Sequence, residues 1–202
     1  MRRRQLVVLG AVWCAVWRAL PAQAAGEVEE RVLGRADAPV EVIEYFSFTC
    51  PACALFHRET FPELERRYIE TGKVRWILRD FPLDRHALFA ALIAHCAGPA
   101  RYRAFLDVFL ENQRRWASSA NPLEALRSLA RLGGLSAQQV DACLQDGAMI
   151  DSVLRMRLEA EQRYGVTATP TFLVGGTTLV GAVDLETFAA RIEAALADAG
   201  AR

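Results

Sequence analysis

Two cysteines three residues apart, Cys50 and Cys53, stand in the stretch "YFSFTCPACALFH" (residues 45–57) with Pro51 between them. A C-x-x-C pair can hold a metal, form an inert bridge or exchange disulfides, and its placement separates these uses. A short apolar run precedes the pair and a helical pattern follows it, so Cys50 falls at the helix mouth and Cys53 one turn in on the same face. Helix N-termini leave N–H groups unpaired and favour negative charge. A thiol there is shifted from about 8.5 into a range of roughly 3.5 to 7.5. Cys53, deeper in the helix, keeps a higher pKa. One reactive thiolate with a shielded partner in reach suits thiol–disulfide exchange. Zinc prefers four ligands from two separated pairs. Here His57 is the one extra ligand nearby, and Cys96 and Cys143 are far apart in sequence. Exchange is the favoured reading of the pair.

The elements that must position this pair are legible in outline. "PVEVIEYFSF" (39–48) is rich in β-branched and aromatic residues and reads as a buried strand. A helix is predicted from Pro51, at a first-turn position that tolerates proline, to Gly72. "KVRWILRDF" (73–81) reads as a second strand, which makes a βαβ unit with parallel strands. From about Asp84 to Tyr164 the pattern is helical, broken at "AGPA", "SSANP", "GGLS" and "QDG". "TFLVGG" and "TTLVGA" then form a hairpin, and "DLETFAARIEAALADA" closes the chain as an amphipathic helix. The fold class is therefore α/β, a βαβ half and a ββα half separated by an inserted helical domain. The aromatics of the insert, Tyr102, Phe105, Phe109 and Trp116, recur near helical spacing and are read as core.

The N-terminus differs in kind. "MRRRQ", the apolar "LVVLGAVWCAVW" and the small-x-small end of "PAQA" make the three-part pattern of a secretory signal peptide over residues 1–24, cleaved after Ala24. Arg3 and Arg4 also suit a twin-arginine signal, so the export route stays open. The apolar run is too short to span a bilayer as a permanent helix. Cys14 would leave with the signal, and the four remaining cysteines would meet an oxidising compartment, the periplasm. With 24 basic and 24 acidic side chains among 202 residues, the formal charge is zero, which argues against a nucleic-acid surface.

Taken together, "VIEYFSFTCPACALF", "RDFPL" and "GVTATPTFLVGG" resemble the DsbA family of bacterial thiol-disulfide oxidoreductases. That resemblance implies a thioredoxin-like domain of residues 25–83 and 159–202 with a helical insertion at 84–158. It implies that Cys50 exchanges with substrate and Cys53 resolves. Pro170 in "TATP" matches the family's cis-proline and would face the pair, with Thr169 offering backbone groups to an extended substrate segment. Glu44, six residues before Cys50, has two readings: a carboxylate facing water, or the family's buried acid that passes a proton to or from Cys53. The resemblance favours the second, and burial penalises the charged form. Relatives place a lysine near this acid. Here the facing strand has Trp76 instead, which leaves the charge balance open. Alanine at position 52, where well-known members have histidine, removes one charge that would hold the thiolate, so a weaker oxidant is expected. Some relatives also carry a second disulfide in the insert, which would pair Cys96 with Cys143; the alternative is two buried thiols acting as small hydrophobes. His57, His86 and His95 show no partner pattern and are read as surface or packing residues.

The function implied is a periplasmic oxidoreductase that gives disulfides to reduced exported proteins. It would act as a monomer, be restored by a DsbB-type membrane oxidase, and need no metal or organic cofactor. The alternatives are an isomerase or reductase of the same superfamily, and, in another class, a metal-binding or chaperone module. Isomerases there carry a dimerising extension, for which the roughly 15 residues between Ala25 and Pro39 leave little room. Thr169 before the proline leaves the question open.

Overall fold

The computed structural model describes residues 28–201. The expected signal segment and Cys14 lie outside them. A five-stranded sheet has the order β1-β3-β2-β4-β5, built from β1 (Arg31–Leu33), β2 (Val40–Phe46), β3 (Val74–Asp80), β4 (Thr171–Val174) and β5 (Thr177–Val180). β2 and β3 are parallel, as the βαβ reading requires. β4 runs antiparallel to β2 and pairs with β5 as the hairpin. The three-residue β1, too short to show a period, was not foreseen and closes the far edge against β3.

Alternation along β2 divides the core. Val42, Glu44 and Phe46 face the side covered by α1 (Pro51–Glu59) and α9 (Leu185–Gly200), where Phe56, Trp76, Phe172 and Phe188 pack ring to ring. Ile43 and Tyr45 face the other side, against Ala160, Tyr164 and Val166. The single helix expected from Pro51 to Gly72 is instead three pieces: α1, a short α2 (Phe61–Leu64) and a π-helical turn over Glu65–Ile69. Pro62, which has no N–H to continue the ladder, sits at the break.

The helical stretch contains α3 (Arg85–Cys96), α4 (Pro99–Glu111), α5 (Gln113–Ala117), α6 (Pro122–Leu132), α7 (Ala137–Leu144) and α8 (Gly147–Tyr164). Their starts follow the capping residues. Asp84, Asn121, Ser136 and Asp146 each accept first-turn N–H groups, Ser136 with Gln139 as a full capping box. Tyr102, Phe105, Phe109 and Trp116 are buried as expected. The division placed between residues 158 and 159 falls inside α8, one uninterrupted helix that packs on the sheet near its C-terminal end.

Cys96, at the end of α3, is joined to Cys143 in α7 with Cα atoms 6.1 Å apart, closing 47 residues. In the chain-entropy model a bridge over such a loop contributes about 4 kcal/mol by constraining the unfolded chain. The double variant Cys96→Ala/Cys143→Ala should lose stability of about that size in equilibrium denaturation by urea. An unchanged midpoint would show that the bridge contributes nothing to the fold.

Candidate active site

Cys50 is the N-cap of α1, with extended backbone (φ −80°, ψ 116°). Its N–H is bonded back to Ser47 O at 3.1 Å, and its carbonyl accepts the first helical bond from Ala54 N. Pro51 follows at N1, where a missing N–H costs nothing. The sulfur therefore lies where the helix presents unpaired donors. It also reaches across to the strand that enters β4, where the Cys50 thiol meets the Thr169 carbonyl at 3.1 Å. The Thr169–Pro170 bond is cis, and the residue before the proline lies against the Cys50 sulfur.

The two thiols stand free in this structure and differ sharply in character. The Cys50 thiol is lowered to about 6, chiefly by a hydrogen bond from Cys53, with further help from the Thr169 side chain and the N–H groups of Cys53 and Ala52; partial burial works the other way. Cys53 is fully buried and is pushed well above the ordinary thiol range, first by burial, then by the neighbouring Cys50 and, more weakly, by Glu44. The Thr169 hydroxyl is buried and has no partner of full hydrogen-bond geometry among the described residues, so it is free to turn toward a charged Cys50 sulfur.

Glu44 is buried to 0% exposure, which removes the reading of a carboxylate facing water. Nor is it left uncompensated. Trp76, whose register partner is Val42, lies on the same face and donates its indole N–H to Glu44 Oε2 at 2.9 Å. His57 Nε2 lies 2.8 Å from Glu44 Oε1. His57 was read as a surface or packing residue without a partner; it is instead a buried partner of the acid, one helical turn beyond Cys53. The i, i+4 spacing of Cys53 and His57 was the available signal, since it puts both on the inward side of α1. His95 needs the same correction. It is buried against Asp80, with Nε2 2.7 Å from Oδ2.

Two further residues hold the motif loop. Gln113 in α5 donates one amide group to both Phe48 O and Cys50 O, each at 2.8 Å, so the insert grips the turn that carries the nucleophile. Thr49 Oγ1 donates to Asp84 Oδ2 at 2.7 Å, tying the same turn to the cap of α3. Sequence reading missed both, and neither residue stands in a local pattern that would mark it. Among the described residues, no three His, Cys, Asp or Glu side chains are arranged to hold a metal ion.

An acidic thiol opposite a proline strand, backed by a buried second thiol, is the layout of dithiol–disulfide chemistry, on a thioredoxin-like sheet. The thioredoxin family model matches residues 27–194, and the chain belongs to that family. It is 33% identical over 148 residues to a Rickettsia bellii protein provisionally named a protein-disulfide oxidoreductase, covering 73% of this chain and 57% of that one. A Rickettsia felis protein of the same name is 31% identical, with 83% and 60% covered. The chain thus spans less than two thirds of the length of these curated relatives. Among solved structures, Wolbachia pipientis alpha-DsbA1 matches with a TM-score of 0.79 at 30% identity, over 90% of this chain and 94% of that one. A protein-disulfide isomerase of Novosphingobium aromaticivorans matches at 0.73 and 25% identity, over 85% and 97%. The expected DsbA likeness and the thioredoxin-like fold with helical insertion both hold.

The thiol asymmetry has a measurable sign. Cys50 is lowered in the folded reduced state, so its thiolate stabilises that state fully above the ordinary thiol range, and the contribution is lost as the pH falls through about 6. The disulfide form has no such group. Thermal unfolding should therefore favour the reduced form increasingly over the oxidised one between about pH 5 and pH 8. Thiolate absorbance at 240 nm should titrate near 6 in the reduced protein, and Cys53→Ala, which removes the main donor, should move that midpoint up. A midpoint indifferent to Cys53→Ala would leave the helix terminus and Thr169 as the only cause.

Proposed function

We propose that the protein is a periplasmic thiol-disulfide oxidoreductase that introduces disulfides into exported proteins through a mixed disulfide on Cys50. The observation that carries this reading is the unequal pair: Cys50 lowered to about 6 and opposed to the Thr169 carbonyl, Cys53 buried and raised. A stabilised thiolate favours the reduced protein, and a stable reduced form is what drives oxidation of other dithiols. In the forward step a substrate thiolate attacks Cys50 and Cys53 leaves; a second substrate thiolate then attacks its partner sulfur, releasing Cys50 as thiolate. The substrate loses two electrons and the Cys50–Cys53 pair gains them. Thr169 and Pro170 receive an extended substrate segment beside the sulfur, and Glu44 serves the proton balance of Cys53. A DsbB-type membrane oxidase restores the disulfide, the protein acts as a monomer, and the Cys96–Cys143 bridge is structural.

The isomerase reading draws support from the Novosphingobium structure and from threonine before the cis-proline. One experiment separates the two. The oxidised protein is mixed with a reduced, unfolded substrate protein, and in parallel with a scrambled one, and disulfides are mapped by mass. An oxidase converts the first rapidly and stoichiometrically and leaves the second largely scrambled; the reverse pattern would overturn the proposal. Cys50→Ser should abolish exchange, while Cys53→Ser should accumulate mixed disulfides on Cys50.

A further inference from the structure

The turn that carries the nucleophile has few restraints of its own. Between β2 and α1 it holds one backbone–backbone bond, from Cys50 N–H to Ser47 O at 3.1 Å. Cys50 must nevertheless keep one conformation. An N-cap residue brings its side chain over the N–H groups of N2 and N3 only with extended backbone. Those positions are Ala52 and Cys53, whose N–H groups help to lower the Cys50 thiol. Pro51 turns Cys50 away from the helical region, but the extended region is broad. The proline narrows the choice without making it. A further restraint comes from the insert. Gln113 is 7% exposed, and its Nε2 lies 2.8 Å from Phe48 O and 2.8 Å from Cys50 O. Both partners are acceptors, so only the NH₂ side of the amide can face them, and both its hydrogens are committed. Phe48 O receives no other hydrogen bond among the described residues, while Cys50 O also accepts from Ala54 N. The direction of the Cys50 carbonyl follows the ψ angle of that residue. Two bonds on it therefore fix the planar Cys50–Pro51 peptide from which α1 starts. Gln113 is held in turn by its helix. The buried Trp116 of α5 donates its indole N–H to Phe109 O at 2.7 Å, and the Phe48 ring packs edge-on against Phe109.

We propose that Gln113 is a positioning residue for disulfide exchange: by binding both carbonyls of the motif turn it holds Cys50 in the N-cap conformation that aims its sulfur at its donors, and so sets how strongly the reduced form is preferred. The inference rests on the reading of Cys50–Cys53 as an exchange pair. Gln113 touches no reacting atom and acts through the Cys50 backbone. Without its amide the turn can relax along ψ of Cys50, and the sulfur leaves the best position for the N–H groups of α1 and for Thr169. A thiolate depends on those donors more than a neutral thiol or a disulfide sulfur does, because hydrogen bonds to a charged form favour it. Loss of the amide therefore weakens the reduced form selectively, and only where Cys50 is ionised. In exchange with glutathione, two glutathione thiols give up two electrons as they join in a disulfide. The Cys50–Cys53 bond takes up those electrons and opens to two reduced sulfurs.

The test compares the full protein with Gln113→Met, which keeps the length and bulk of the side chain but has no donor. In thiolate titration at 240 nm the Cys50 midpoint should rise from about 6. The rise should be about half to one pH unit, the equivalent of one ordinary hydrogen bond. In glutathione buffers, with thiols trapped by acid and alkylation, the equilibrium constant for reduction should fall roughly threefold to tenfold at pH 8. At pH 5 it should match wild type. The sign is that of a lowered thiol, whose stabilisation of the reduced form is lost as the pH falls through about 6. Trp116→Phe removes the bond to Phe109 O and loosens α5 while leaving the Gln113 amide in place. It should lower the melting temperature and leave the Cys50 midpoint where it is. Gln113→Asn, one methylene too short to span both carbonyls, should shift the midpoint upward by less, and it decides alone should Gln113→Met not fold. An unmoved midpoint in Gln113→Met would overturn the inference. So would a redox difference from wild type that is the same at pH 5 and pH 8, or an equal midpoint shift in Trp116→Phe. A wild-type protein that equilibrates with glutathione but oxidises no protein substrate would defeat the proposed function and leave the role of Gln113 standing.

Discussion

A negative charge on the Cys50 sulfur needs donors around it without bulk water to quench its reactivity, and the rest of the structure depends on meeting that condition. The sulfur gets its donors from three directions: the Cys53 thiol, the first-turn N–H groups of α1 and the Thr169 side chain. Two of them belong to α1 and the third to the segment that leads into β4, and they converge only if helix and strand are fixed to one another. The sheet does this. β2 ends just before Cys50, β4 begins just after Pro170, and the two are register-paired from Val42 opposite Val174 to Tyr45 opposite Thr171. A register slip of one residue would turn Glu44 away from Trp76 and displace Thr169 from the sulfur. The burial that favours Cys50 as anion through its neighbour is the same burial that penalises Cys53, so the division of labour follows from depth along one helix.

The insert is more than a cover over the site. Gln113 reaches from α5 to two carbonyls of the motif turn, Phe48 O and Cys50 O, the second of which also accepts the first helical bond of α1. Asp84 joins Thr49 to the cap of α3. α3 is in turn bound to α7 by the Cys96–Cys143 bridge. The position of the nucleophile is therefore referred to the insert through short polar links, and the bridge ties α3, whose cap carries one of them, to α7. The insert is thus anchored to the motif turn at its start, through Asp84, and from its middle, through Gln113.

Much of this was legible in the chain because it is local. The strand–CPAC–helix order, the hairpin and the capped helices of the insert follow from period, proline and capping residues, each acting over a few positions. The break at Pro62 was also local and was read past, since the apolar pattern of Phe61, Leu64 and Tyr68 continues through it. What sequence reading missed depends on pairs far apart. β1 is three residues that become a strand only because β3 offers an edge. Gln113 meets its partners across 65 and 63 residues. His57 and Glu44 are 13 apart on different elements, and their meeting depends on how α1 lies across the sheet. Trp76 was noticed where a lysine was looked for, but its indole N–H was not counted as a donor.

Among the described residues, two buried carboxylate–imidazole pairs occur, and they differ in their surroundings. Asp80 and His95 are each 2% exposed, 2.7 Å apart, with the Tyr102 hydroxyl 3.4 Å from the same carboxylate oxygen. Glu44 and His57 are as buried and as close. Both link a strand of the sheet to a helix, and in both the outer imidazole nitrogen lacks a partner among the described residues. Losing one member of either would leave the other a buried polar group without its hydrogen bond. As structural ties they are equivalent. The Asp80 pair, however, sits among Tyr102 and the packed start of the insert, with no thiol at either end. Glu44 lies close enough to Cys53 to raise its pKa, and His57 lines a cavity that opens outward. The same tie that holds a strand to a helix at Asp80 stands at Glu44 beside the buried thiol of the pair.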